Sequence, residues 1–291
     1  MILSVKTRSD PWMDLAGIHL AVFLFGFAGL FPRWIALPSV AIVFGRTFFA
    51  AIVLGAWVRP FSRKVPLPGR TDSLLLVASG VILAFHWVAF FQSVKVSTVA
   101  IALLSYSCFP VFLVLIEPLL FRERFRRRNL LFALIALLGV FLIVPGSGRS
   151  DPGFHGIFWG LASGLTFAVL MLINRGLTVR HSAAAIAFFQ DLVAAVALAP
   201  FLFAGNVRFT LVHVGRLMIL GVICTAVAHT LFIRGMRRVR AQTAGILALG
   251  EPLYGIILAY WLLGEIPGIL TILGGALILA VAAAATLTAD P

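Results

Sequence analysis

Residues 250–265 read Gly-Glu-Pro-Leu-Tyr-Gly-Ile-Ile-Leu-Ala-Tyr-Trp-Leu-Leu-Gly-Glu, and residues 108–123 read Cys-Phe-Pro-Val-Phe-Leu-Val-Leu-Ile-Glu-Pro-Leu-Leu-Phe-Arg-Glu. Laid over one another at an offset of 142, Pro110 meets Pro252, Glu123 meets Glu265 and, farther on, Ala133 meets Gly275 without a gap. Two more landmarks keep nearly the same spacing. Phe44-Gly45-Arg46 followed by Ala50-Ala51 resembles Phe188-Phe189-Gln190 followed by Ala194-Ala195 at 144, and His86 matches His229 at 143. A single match between apolar segments means little. Conserved order through three segment pairs at near-constant spacing is what a duplicated unit produces.

The duplicated unit is membranous. The 291-residue chain is 62% hydrophobic with a mean hydropathy of +1.09 and 11% charged residues, against roughly 25% charge in a soluble domain. A water-soluble globule is excluded. A spanning helix needs about 20 apolar residues. Charges and Pro/Gly clusters divide the sequence into ten such segments, near 13–32, 38–58, 73–92, 98–121, 129–145, 154–174, 182–203, 210–233, 241–263 and 268–287. Five segments per repeat is an odd number, so the second repeat enters the membrane from the opposite side. The expected fold is an all-α integral membrane protein of ten transmembrane helices, built as two inverted five-helix repeats over residues 1–145 and 154–287. Inverted repeats with a site at their interface are the architecture of alternating access, which favours a secondary transporter over a channel, a receptor or a scaffold.

The net charge of +13 would suggest nucleic acid in a soluble protein. Here 17 of the 23 basic residues fall at the N-terminus and in the loops on its side, near 59–70, 122–128, 175–180 and 234–240. The opposite loops hold Arg33, Lys95, Arg149 and Arg208. By the positive-inside rule both termini are expected in the cytoplasm, and the basic loops face the lipid bilayer, with no contiguous stripe for nucleic acid. The N-terminal Lys6 and Arg8 precede an apolar run without an Ala-x-Ala-like site, which reads as a first span and not a cleaved signal. Cys108 and Cys224 lie inside apolar stretches, supporting neither a disulfide nor a metal site. No P-loop, HExxH or G-x-S-x-G motif occurs, so no enzyme activity and no cofactor are expected.

These residues resemble the drug/metabolite transporter superfamily, EamA-type family. The carrying features are Arg46 in the second segment, Pro110 followed by Glu123, and Glu251-Pro252 followed by Leu263-Gly264-Glu265. The resemblance covers essentially the whole chain and is most specific from Gly250 to Gly275. One departure is Arg122, standing before Glu123 where the family usually has Gly. Within the family, length and aromatic-rich segments are most similar to bacterial aromatic amino acid exporters. That implies outward transport of phenylalanine, tyrosine and tryptophan across the bacterial inner membrane; a monomer is expected to suffice.

The resemblance further implies a central cavity lined by the first, third, fourth, sixth, eighth and ninth segments, and helical spacing picks the residues that could face it. Candidate substrate contacts are His86, Phe90, Tyr106, Trp159, Thr166, His229, Glu251 and Tyr254, a mixture of rings and polar heads suited to an amino acid. Glu251, near the middle of its segment, either binds the substrate ammonium or carries a coupling proton, or else braces backbone freed by Pro252. His86 and His229 are candidates for coupling as well as for packing. Arg46 could attract a carboxylate, but the resemblance puts its helix at the periphery. It is therefore read as structural or gating, with Pro110, Pro252, Glu123 and Glu265. The alternative function is a broad-specificity exporter of cationic or lipophilic compounds.

Overall fold

The computed structural model describes residues 11–58, 69–121, 152–204, 207–236 and 247–287, with isolated positions at 131–142 and 244. Its first half contains α1 (Pro11–Ala28), α2 (Phe31–Trp34), α3 (Ser39–Val58), α4 (Arg70–Val96), α5 (Val99–Tyr106) and α6 (Phe109–Phe121). The second half contains α7 (Pro152–Thr178), α8 (Ala183–Ala204) and α9 (Leu211–Gly221). A π-helical turn, Val222–Val227, then leads into α10 (Ala228–Gly235), followed by α11 (Gly250–Leu263) and α12 (Ile269–Leu287). Among the described residues, six spans are long and apolar enough to cross a membrane: 16–34, 39–58, 70–96, 153–178, 183–202 and 211–235. The protein is thus an all-helical, multi-pass membrane protein. Trp57, Leu74, Phe158 and Val196 are each more than 60% exposed, an arrangement that lipid favours and water does not.

The 98–121 segment, expected as one helix, is interrupted at Ser107–Cys108 between α5 and α6. Pro110 has no N–H to return to the preceding turn. The chain tightens instead, with the Cys108 N–H donating to the Ser105 carbonyl at 3.3 Å. The other repeat makes the same break: a turn at Leu249 precedes α11, and Pro252 sits in its first turn. Start and stop signals elsewhere are local. The Thr98 hydroxyl caps α5 by accepting from the Ile101 N–H, and Gly264 ends α11 at φ 68°, a conformation that only glycine adopts freely.

Matched glycines set the helix crossings. A Cβ on Gly80 of α4 would lie 2.6 Å from Val193 Cβ and 3.0 Å from the Gln190 carbonyl of α8. A Cβ on Gly221 would lie 2.7 Å from both Phe49 Cβ and the Arg46 carbonyl of α3. Arg46 and Gln190 are 144 residues apart, as are Phe49 and Val193, so α8 meets α4 as α3 meets α9. A Cβ on Gly26 would likewise lie 3.0 Å from the Glu251 carbonyl, and one on Gly164 2.6 Å from the Tyr106 carbonyl. Small residues let backbones approach where lipid supplies no hydrophobic drive, and this pattern of exchanged contacts fits an inverted repeat.

The two ends of the bundle are tied differently. At one, Arg33 Nε donates to Glu265 at 2.9 Å, the other Glu265 oxygen accepts from the Val99 N–H at 2.8 Å, and Arg33 also bonds the Ser97 carbonyl. Arg216 reaches the Trp34 carbonyl nearby. At the other end Asp72, in the first turn of α4, pairs with His181 at 2.9 Å and Arg180 at 3.1 Å.

Candidate functional site

Between the repeats lies a cavity with walls from α1 (Phe25, Ala28), α3 (Arg46), α4 (Leu83, His86, Trp87, Phe90, Phe91) and α5 (Tyr106). α7 adds Phe167, Leu170, Met171 and Asn174; α10 adds His229 and Phe232, with Met236 beyond it, and α11 adds Glu251. Its free volume is about 40 Å³. That admits water, which needs roughly 10–15 Å³ on this measure, and not an amino acid. Binding a larger solute requires the ring-lined walls to part.

Five of the eight candidate contacts meet here: His86, Phe90, Tyr106, His229 and Glu251. Phe167 is the hub of the apolar wall. It stacks on His86 at 5.3 Å between centroids, and meets Tyr106 at 5.3 Å, Phe109 at 5.0 Å and Phe232 at 6.0 Å. Phe90 adds an edge contact to Tyr106 at 5.7 Å. Glu251 lies buried in the first turn of the half-helix α11, with its carboxyl within interaction range of the Tyr106 hydroxyl. A helix N-terminus favours negative charge at such a position. Both groups stand at the breaks before Pro110 and Pro252, so the interruptions that the prolines impose are what bring Tyr106 and Glu251 to the centre.

The two histidines differ in their partners. His86 Nδ1 lies 2.9 Å from the carbonyl and 3.0 Å from the hydroxyl of Ser163, so it pairs in either tautomer. The ring of His229 stands edge-on to Trp87 at 5.6 Å, while its Nδ1 is buried without a hydrogen-bond partner among the described residues. Beside the cavity, Gln190 donates to the Asn174 side chain at 2.7 Å, and both carboxyl oxygens of Asp191 are buried without a described donor.

The other three candidates stand outside the cavity wall. Trp159 is half-buried against Phe85 at 6.5 Å. The Thr166 hydroxyl donates back to the Ala162 and Ser163 carbonyls of its own helix. Tyr254 packs edge-on against Phe23 at 5.6 Å. Arg46 moves the other way: the helix assigned to the periphery carries its guanidinium to the cavity wall, where it is 2% exposed. Glu265 lies at the bundle end described above, and Glu123 falls outside the described residues. Both cysteines are free and buried. Among the described residues no group of three or more His, Cys, Asp or Glu side chains could hold a metal ion.

Phe167, with Trp87, Phe91, Met171 and Phe232, is a wall residue outside the candidate set, and Arg46, expected as a structural or gating residue on a peripheral helix, stands in the wall too. A signal for the first was present, because Ser163, Phe167, Leu170, Met171 and Asn174 fall at helical spacing on one face, a better stripe than one through Trp159 and Thr166.

Comparison with known proteins fits this architecture. The profile of the EamA-like transporter family matches residues 12–144 and 154–287. An uncharacterized transporter of Archaeoglobus fulgidus is 33% identical over 267 residues, 91% of this chain and 93% of its own length. The uncharacterized transporter YxxF of Bacillus subtilis is 27% identical over 285 residues, covering 96% and 90% of the two chains. The pseudopaline exporter CntI of Pseudomonas aeruginosa is 28% identical over 246 residues, covering 83% and 84%. A solved crystal structure that is 19% identical superimposes with a TM-score of 0.66 over 96% of this chain and 97% of its own, which speaks to the fold alone. With both halves of the chain matched, this protein belongs to the EamA-like transporter family.

Proposed function

We propose that this transporter moves amino acids, aromatic ones by preference, outward across the bacterial cytoplasmic membrane by alternating access. It does so as ten spans in two inverted repeats, residues 1–145 and 154–287, with both termini in the cytoplasm. The observation that carries the proposal is the position of Glu251. One buried carboxyl stands at the crossing of the two repeats, in a cavity walled by Phe90, Tyr106, Phe167 and Phe232. A carboxylate there suits an ammonium group, and the rings suit an aromatic body. His86 and His229 complete the polar lining. Trp159, Thr166 and Tyr254 would reach a solute only as the helices part. Pro110 and Pro252 supply the hinges, while Glu265 ties helix ends that must separate, and Glu123, its counterpart in the sequence repeat, is assigned to gating with it. The outward direction draws support from the exporter among the relatives.

The largely apolar wall around one acidic group also suits a broad exporter of cationic or lipophilic compounds, and the two functions separate in one assay. Oriented proteoliposomes loaded with labelled phenylalanine are expected to release it faster than protein-free vesicles, and Glu251→Gln is expected to slow release at least tenfold. Absence of flux for phenylalanine, tyrosine and tryptophan alike, with flux of a lipophilic cation retained, overturns the amino acid assignment. A proton-coupled cycle adds dependence on an imposed pH gradient, and Glu251→Gln would abolish that dependence if Glu251 carries the proton.

A further inference from the structure

Arg46 sits near the middle of α3, keeps its charge in any protein environment, and is fully enclosed. A buried cation in a membrane span needs compensation, yet among the described residues no carboxylate lies within 4.0 Å of it. Asp191 and Glu251 act on it only from farther away. What holds it is a built cradle. Nε donates to Thr225 Oγ1 at 2.9 Å and Nη2 to the Cys224 carbonyl at 3.3 Å. The Thr225 hydroxyl spends its own hydrogen on the Leu220 carbonyl at 2.8 Å, so its lone pair is directed at the arginine. Cys224 and Thr225 lie in the π-helical turn, whose shifted register presents both groups on the side of α3; such turns cluster at functional sites. The Trp87 ring supports the guanidinium from 3.8 Å and Phe91 from 5.2 Å.

A simple clamp between α3 and the π turn would account for Nε and Nη2. It does not account for the remaining nitrogen, Nη1, which has no partner among the described residues, or for the guanidinium standing in the cavity wall. A planar fork with a free edge matches a carboxylate. We infer that Arg46 is the receptor for a substrate carboxylate. The substrate class is then a zwitterion with an apolar or aromatic body, its anionic end at Arg46 and its cationic end at Glu251. The inference rests on the transport function proposed above, and it makes Thr225 a positioning residue.

The test uses purified full-length protein and three probes: phenylalanine, 3-phenylpropionate, which lacks the ammonium, and phenethylamine, which lacks the carboxylate. Wild type is expected to bind 3-phenylpropionate. Arg46→Gln should weaken that binding roughly tenfold to a hundredfold, as loss of a charge-assisted hydrogen bond implies, while phenethylamine binding stays within twofold. Thr225→Val should weaken 3-phenylpropionate by a smaller factor and spare phenethylamine. Wild type that does not bind 3-phenylpropionate, or Arg46→Gln that binds it as well as wild type does, overturns the assignment. If Arg46→Gln does not fold, Thr225→Val decides, because equal loss of both probes means a structural role only. Selective 3-phenylpropionate binding without phenylalanine flux would sink the proposed transport function and leave the receptor standing.

Discussion

Arg46 and Gln190 hold the same place in the two repeats, as do Asp72 and Arg216, and His86 and His229, yet no pair does the same chemistry. Arg46 reaches the cavity and binds the π turn, whereas Gln190 bonds sideways to Asn174. Asp72 pairs with Arg180 and His181, the loop residues between α7 and α8, whereas Arg216 bonds the Trp34 carbonyl beyond α2. The glycine contacts, by contrast, repeat almost atom for atom. Backbone packing follows the duplication and polar chemistry departs from it. The first fits the two related arrangements that the proposed alternating access requires. The second makes a cavity with distinguishable ends, which a symmetric site could not offer to a substrate with unlike ends.

The largest effect tests the shared packing. Gly80→Val and Gly221→Val each drive a side chain into contacts already at 2.6–2.7 Å for a bare Cβ. Both should cost about 3 kcal/mol or more, seen as loss of monodisperse protein in detergent. A large loss from one and none from the other would break the packing symmetry. Next come the histidines. His86→Phe strands the Ser163 hydroxyl and should destabilise by about 1–3 kcal/mol, whereas His229→Phe removes a buried nitrogen without a described partner and should change the unfolding midpoint little or raise it. The reverse order would contradict the assigned partners. Gln190→Met should cost about 1 kcal/mol through the lost bond to Asn174. The smallest effects lie at the bundle ends. Arg180→Gln and Arg33→Gln each remove the partly exposed member of a pair, 56% and 31% exposed. Each should cost about 1 kcal/mol or less and fade in high salt.

Much of this was legible in the residues. The apolar segments, the duplication and the importance of the two Glu/Pro regions follow from hydropathy and spacing, because lipid forces every span to be long and apolar. The cavity wall was legible in part. His86, Phe90, Tyr106, His229 and Glu251 share faces with polar neighbours, and those faces turn inward. Trp159 and Thr166 share the stripe on paper but sit at its edge, where Thr166 satisfies its hydroxyl within its own helix. Arg46 was misplaced because a residue's depth depends on which neighbour its helix meets. That meeting is fixed by Gly221 and by a π turn whose register change leaves no mark in apolar periodicity. The break at Ser107–Cys108 was foreshadowed by Pro110, but the position of the turn depends on which carbonyls the chain can still satisfy.

The central claim is that one cavity between two inverted repeats opens to either side of the membrane. Leu170, 2% exposed and in the cavity wall, reports on it when changed to Cys in a background where Cys108 and Cys224 are Ser. In right-side-out and in inside-out vesicles, a membrane-impermeant maleimide should label Leu170→Cys from both faces, and phenylalanine should slow labelling from each. Labelling from one face only, in both vesicle preparations and at every substrate concentration, would contradict alternating access through this cavity.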